Sequence, residues 1–274
     1  MHHRYIFRKL IKILFLDKYI IRRFGKDLGI IKLKNNYIVD IPKSGSSTIK
    51  HFASLGSKRY EFCRKYLNIQ PKHEYVIPVK KIRPINEDIK VFMFIRPPEE
   101  RLYSLYKQKV SNFEDFPFGY SLIKKDKFYL TRNFKSTTQF YKENSFFEFC
   151  NGIKNLNKEF LEKGYNYNLF DKHILPQFKI ILNLQETYNN TDELTFIIYP
   201  IKKINNVLSS FLGRKIKRKI NSTKKDNINY LQDIKASKII DLFYAEDKLL
   251  YDKLMKSQNG FLEFKFDAFN NLNN

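Results

Sequence analysis

The chain has 274 residues, 43% of them hydrophobic and 16% aromatic. That is long enough to bury a substantial core, and its composition excludes a disordered protein. Lys and Arg number 51 against 28 Asp and Glu, a formal charge of +23, which favours an anionic partner without choosing between nucleic acid, a membrane surface and a phosphorylated small molecule. The Asn- and Ile-rich surroundings of many lysines also fit a compositional bias with no functional content.

In chain order, residues 1–33 come first and begin MHHRYIFRKLIKILFLDKYIIRRFGK. Lys9, Lys12, Asp17 and Lys18 interrupt the apolar runs and no small-residue cleavage site follows, so the stretch does not read as a signal peptide. At helical period Ile6, Leu10, Ile13, Leu14 and Ile21 share one side. This predicts a basic amphipathic helix, packed on the domain or lying on an anionic membrane. No stretch reaches the roughly 18 consecutive apolar residues of a spanning helix. The expected location is cytoplasmic, with peripheral membrane contact through this helix left open. Asn36–Ile41, Lys90–Ile95 and Leu194–Tyr199 are short apolar runs without clean alternation, as buried parallel strands read. Helical patterns fall at Ser47–Leu55, Glu99–Val110, Ser145–Lys163, Lys203–Leu212 and, as one long element, Lys235–Lys256. Strands alternating with helices predict a three-layer α/β/α, P-loop-like fold around a central parallel sheet. No repeat or linker divides residues 1–274, which reads as one domain. Residues 111–144 are a polar-aromatic insert of little periodicity, too long to be a plain connection. The two cysteines, Cys63 and Cys150, make no disulfide framework and match no metal-ligand spacing.

Two stretches carry chemistry. In IVDIPKSGSSTIKHF, Pro42 ends a strand and Lys43-Ser44-Gly45-Ser46-Ser47-Thr48 leads into a helix. Free N–H groups and a positive helix end bind anions there. Gly45 allows close backbone approach, the hydroxyls add donors and Lys43 adds a point charge. The lysine precedes the glycine, unlike the order in nucleotide triphosphatases. In FMFIRPPEERLYSLY, a strand delivers Arg96 at its carboxyl end, where ligands of open parallel sheets collect. Ser104 follows two turns into the next helix, so the arginine fork and a hydroxyl could clasp one phosphate. An ion pair of Arg96 with Glu99 or Glu100 is the plainer alternative.

Together these stretches resemble the PAPS-dependent sulfotransferases, especially the carbohydrate-type, family 2-like branch. The family carries a PKxGxT-like loop for the 5′-phosphosulfate and an R-x-P-x-x-R-x-x-S-x-Y element for the 3′-phosphate. Arg96, Pro98, Arg101, Ser104 and Tyr106 match that element in register, with Pro97 in place of the usual aspartate. Asp171-Lys172-His173-Ile174-Leu175-Pro176-Gln177 looks like the family's D-x-H-x-x-P-Q element, TFIIYPIKKINNVLSSFLG like its later strand and helix, and INSTKKD like its nucleotide-covering loop. LFYAEDKLLYDKL looks like its terminal Y-x-x-D-x-x-L-Y helix. The resemblance implies sulfuryl transfer from PAPS to a hydroxyl of a carbohydrate or glycolipid. Lys43, Ser44, Gly45, Ser46, Ser47 and Thr48 would hold the phosphosulfate, Arg96 and Ser104 the 3′-phosphate, and Ser222, Lys224 and Lys225 the nucleotide's other side. No metal and no nucleic acid is expected.

The acceptor hydroxyl needs a base, and histidine is best tuned near neutral pH. His73, in QPKHEYVIP, is the first choice, at a position where the family places its catalytic histidine or glutamate; Glu74 is a lesser one. His173 is the other candidate. Tyr120, Lys124, Lys125, Tyr129 and Arg132 in the insert are expected to recognise the acceptor. A P-loop kinase and a non-catalytic nucleic-acid binder remain the rival readings.

Overall fold

The computed structural model describes residues 29–54, 76–78, 89–112, 120–122, 139–162, 170–187, 194–216 and 233–265. The N-terminal amphipathic segment and most of the 111–144 insert lie outside them. Strand β1 (Gly29–Leu33) turns back through Lys34 and Asn35 into β2 (Asn36–Val39), which leads to helix α1 (Ser46–Ser54). After β3 (Val76–Pro78), strand β4 (Ile89–Ile95) feeds α2 (Pro98–Lys109). Two short strands, β5 (Tyr120–Ser121) and β6 (Gln139–Phe140), pair antiparallel ahead of α3 (Phe146–Glu162) and α4 (Gln177–Thr187). Strand β7 (Leu194–Pro200) passes through a 3₁₀ turn into α5 (Ile204–Leu212). The described chain ends with α6 (Ile234–Phe243), α7 (Ala245–Lys256) and β8 (Leu262–Lys265).

The main sheet runs β3-β1-β2-β4-β7-β8. Its centre, β2-β4-β7, is parallel, and these are the three strands legible as apolar runs. Antiparallel strands flank them: β1 and β3 beside β2, β8 beside β7. Side chains alternate across the sheet with period two. Val91, Met93 and Ile95 enter a core with Leu102, Leu105, Phe149, Ile153, Phe178, Ile240 and Leu250, contributed by α2, α3, α4, α6 and α7. Phe92 and Phe94 point the other way, to Ile49 of α1 and Val207 and Leu208 of α5. Helices thus cover both faces, giving three layers and the expected α/β/α class.

The single long helix expected over Lys235–Lys256 is two helices. Tyr244 leaves helical geometry (φ −118°, ψ 30°), and its buried hydroxyl donates to the Ile174 carbonyl at 2.5 Å. The break thus falls inside a continuous apolar periodicity, at a residue held by a tertiary hydrogen bond. Among the described residues no helix is long and apolar enough to cross a membrane.

Candidate active site

Parallel pairing brings the carboxyl ends of β2, β4 and β7 to one edge of the sheet, with Ile95 level with Pro200. The segment after β2 turns sharply there. Lys43 has φ +66° and Gly45 φ +86°, a left-handed region that costs a non-glycine residue roughly 1–2 kcal/mol. Gly45 is also closed in sterically. A Cβ at this position would come 2.3 Å from Ile204 Cδ1 and 2.8 Å from Ile201 Cδ1, so the loop lies directly against the end of β7. Helix α1 follows at once, and the N–H groups of Ser46 and Ser47 in its first turn have no intrahelical acceptor. The N–H groups of Thr48 and Ile49 donate to the Gly45 carbonyl at 2.9 and 3.0 Å.

Two of the loop hydroxyls donate into the protein. Ser46 donates to the buried carboxylate of Asp40, and Ser44 donates to Gln177 Oε1 at 2.8 Å. Asp40 also meets Lys50 Nζ at 2.7 Å and Lys172 Nζ at 3.8 Å. Burial pushes the Asp40 carboxyl up, but Lys50, Lys172 and the hydrogen bonds from Lys50 and Ser46 together hold it below its ordinary pKa. A buried ion pair thus lies beneath the loop. Ser47, Gly45 and Lys43 keep partial exposure. The Lys43 ammonium reaches across to α2, where it donates to the Ser104 carbonyl at 3.1 Å and to Gln108 Oε1.

On the neighbouring strand end, Arg96 begins the corner before α2. Its side chain is about a quarter exposed, and Nε lies 4.0 Å from Glu100 Oε2, one turn on. Glu99 instead pairs with Lys248 of α7 at 2.5 Å. Ser104 is half-buried two turns into α2. The motif's second arginine, Arg101, is wholly buried; its Nε holds the Pro42 carbonyl at 3.1 Å and its Nη2 approaches the Lys172 carbonyl at 3.5 Å. Burial draws the Arg101 guanidinium below its ordinary range, opposed chiefly by Asp247.

The stretch 171–177 lies on the same side. Asp171 Oδ1 accepts from the His173 backbone N–H at 2.8 Å and lies 2.5 Å from His173 Nδ1. Burial opposes ionisation of Asp171, but His173 outweighs it and the pKa falls to about 2. A carboxylate that stays ionised only accepts, so Nδ1 carries the proton and, in the neutral ring, Nε2 is left as an acceptor. Burial lowers the His173 pKa below 6.5, against the pull of Asp171, with Lys109 and Lys172 lowering it further. The neutral ring is therefore the predominant form at pH 7.

The loop residues 43–48, Arg96, Ser104 and His173 are thus gathered at one sheet edge. His73, Ser222, Lys224 and Lys225 lie outside the described residues, as do Lys124, Lys125, Tyr129 and Arg132. Tyr120 of the insert is 4% exposed and packs on Phe149. Burial, and then the neighbouring Asp171, hold its phenol well above the ordinary pKa. It is a core residue rather than an open stacking surface. The supporting residues Asp40, Lys50, Arg101 and Gln177 carried no assigned role in the sequence, although Arg101 and Gln177 stand inside the quoted motifs.

The sulfotransferase family model matches residues 36–253, from the first residue of β2 into α7. The chain belongs to the sulfotransferase family. Comparison with curated proteins and with solved structures gave no match. As a sulfotransferase the protein transfers sulfuryl groups, and the loop after β2 and the Arg96 element after β4 fall at the strand ends where a doubly wound sheet places its ligands.

Proposed function

We propose that this sulfotransferase takes its sulfuryl group from PAPS and delivers it to a hydroxyl of a carbohydrate or glycolipid, with His173 as general base. The observation that carries the reading is one cationic corner on each of two adjacent parallel strand ends: Lys43 with the first turn of α1, and Arg96 with Ser104 of α2. Two separate anion sites on one sheet edge suit a ligand with phosphates at both ends. The donor set fits such a group, since an ammonium, a guanidinium and unbonded helix N–H groups are what phosphate oxygens require.

PAPS, when bound, supplies a sulfuryl group already activated on a phosphate leaving group. The chain's own contribution is alignment and charge. Lys43 supplies positive charge to the leaving oxygen, and the N–H groups of Ser46 and Ser47 hold the oxygens beside it. Arg96 and Ser104 anchor the far phosphate, with Ser222, Lys224 and Lys225 closing over the nucleotide. His173 Nε2 accepts the proton of the attacking hydroxyl, while Asp171 holds the ring in the tautomer that can do so. Residues 1–274 act as one catalytic unit, with 111–144 selecting the acceptor.

The test is radiolabelled sulfate transfer from PAPS across a panel of glycans, glycolipids and simple alcohols, preceded by thermal denaturation with adenosine 3′,5′-bisphosphate. At about 100 times its dissociation constant the ligand should stabilise the fold by about 2.7 kcal/mol. Wild type should shift, and Lys43→Ala combined with Arg96→Ala should not. No wild-type shift, or equal shifts, overturns the reading.

A further inference from the structure

Pro176 is followed by Gln177, the first residue of α4, and both residues are buried. The first N–H groups of a helix lack internal partners. Here Asp247, 1% exposed in the first turn of α7, takes two of them: Oδ2 accepts from Gln177 N at 2.8 Å and Oδ1 from Phe178 N at 2.7 Å. The Tyr244 hydroxyl fixes the Ile174 carbonyl just upstream. The backbone of Gln177 is thereby clamped from α7, and its side chain is aimed in one direction.

That side chain reaches both anion-binding corners. Gln177 Oε1 accepts from Arg96 N at 3.0 Å and from Ser44 Oγ at 2.8 Å, while Nε2 donates to the Arg96 carbonyl at 2.8 Å. The carboxamide pairs with both peptide groups of Arg96 much as another strand would, and it also holds the loop after β2 by its serine. Arg101, through the Pro42 carbonyl, makes a second tie between α2 and that loop. Lys43, through the Ser104 carbonyl, is a further and more flexible tie, whereas Gln177 joins Arg96 itself to the loop through one rigid carboxamide.

We infer that Gln177 is a positioning residue that sets the spacing between the two phosphate sites and so selects ligands carrying two separated phosphates over those carrying one. The inference rests on the donor-site reading above. A ligand gripped at both ends gains over a ligand gripped at one end only if the sites are already held at its span. Contacts that fix each site separately support all ligands alike; a strut between them supports only the doubly gripped one.

The experiment compares adenosine 3′,5′-bisphosphate, adenosine 5′-phosphate and adenosine 3′-phosphate by calorimetric titration of wild type, Gln177→Met and Ser44→Ala. In Gln177→Met the bisphosphate should weaken about tenfold or more, the scale of one or two buried hydrogen bonds, and each monophosphate less than about threefold. Equal weakening of all three ligands, or none, overturns the inference. Should Gln177→Met fail to fold, Ser44→Ala decides, because it cuts only the loop end of the strut. Its bisphosphate-to-monophosphate ratio should fall. A ratio equal to wild type, including equal losses for the bisphosphate and the 5′-phosphate, means that Ser44 serves the ligand or the fold directly and overturns the strut. Wild type binding none of the three overturns the donor-site reading and this inference with it.

Discussion

On the proposal that His173 is the general base, two opposed effects set its state at a single ring. Burial lowers its affinity for protons, and Asp171 both resists that and dictates which nitrogen keeps the proton. Because the net pKa lies below 6.5, the acid limb of kcat/KM should fall below pH 6.5, with the active neutral form filled at pH 7. His173→Ala should cut turnover by about 10²-fold or more while bisphosphate affinity changes less than about threefold. Asp171→Asn removes a group that raises the histidine's pKa, so its limb should move further acid as turnover drops. A His173→Ala enzyme with wild-type rate and pH profile would instead direct attention to His73. The same shifts bear on stability. Both groups have lowered folded pKa values, so each contribution is present above the unfolded value and lost on acidification: His173 as pH falls below 6.5, Asp171 from about 3.8 down towards about 2. Lys43 shows a different residue-level tension. It holds φ +66° in a position that glycine would occupy without strain, as Lys34 does at φ +53° in the turn between β1 and β2.

Between elements, the junction of α6 and α7 departs from a local pattern. The spacing of Ile239, Ile240, Phe243, Leu249, Leu250 and Leu254 is helical throughout, and nothing in it marks a break. At the break Tyr244 turns its hydroxyl to the Ile174 carbonyl. Tyr244→Phe should therefore cost about 1–2 kcal/mol, read as a lowered Tm, since the Ile174 carbonyl loses its partner inside the core. A Tm equal to wild type would mean that this hydrogen bond contributes nothing measurable to stability. This contrast marks what sequence could and could not convey. The parallel strands were legible because strands buried on both faces are apolar along their length, and the loop and Arg96 corners were legible because proline and glycine punctuate them. Strands β1, β3 and β8 were not: GIIKL, VIP and LEFK are short, and their identity comes from pairing beside β2, β1 and β7. Helix α4 was missed for a related reason, as its start is fixed by Asp247, seventy positions along the chain. Gln177 itself could be quoted from a motif, but a buried glutamine reveals nothing about its partners until the strands that hold Ser44 and Arg96 are side by side.

On the scale of the whole molecule, the charge of +23 has two explanations with different physical signatures. If the excess is a field that draws anionic ligands to the strand-end site, it acts over a Debye length, about 8 Å at physiological salt and about 3 Å at 1 M. If it is only composition, the site's affinity depends on its own contacts. Short-range contacts such as Lys43 to an oxygen keep much of their strength in salt, whereas the long-range field does not. Bisphosphate affinity measured at low and at high salt should therefore separate into two parts. Lys43→Ala should weaken binding in both conditions. Charge reversal at a remote exposed lysine, Lys158→Glu on α3, whose side chain is 76% exposed, should weaken binding slightly at low salt and leave the high-salt value unchanged. Several such remote reversals together should flatten the salt dependence in proportion to the charge removed. Should the remote reversals leave binding unchanged at both salts, the field explanation fails, and the lysine excess is a property of the chain's composition rather than of its ligand.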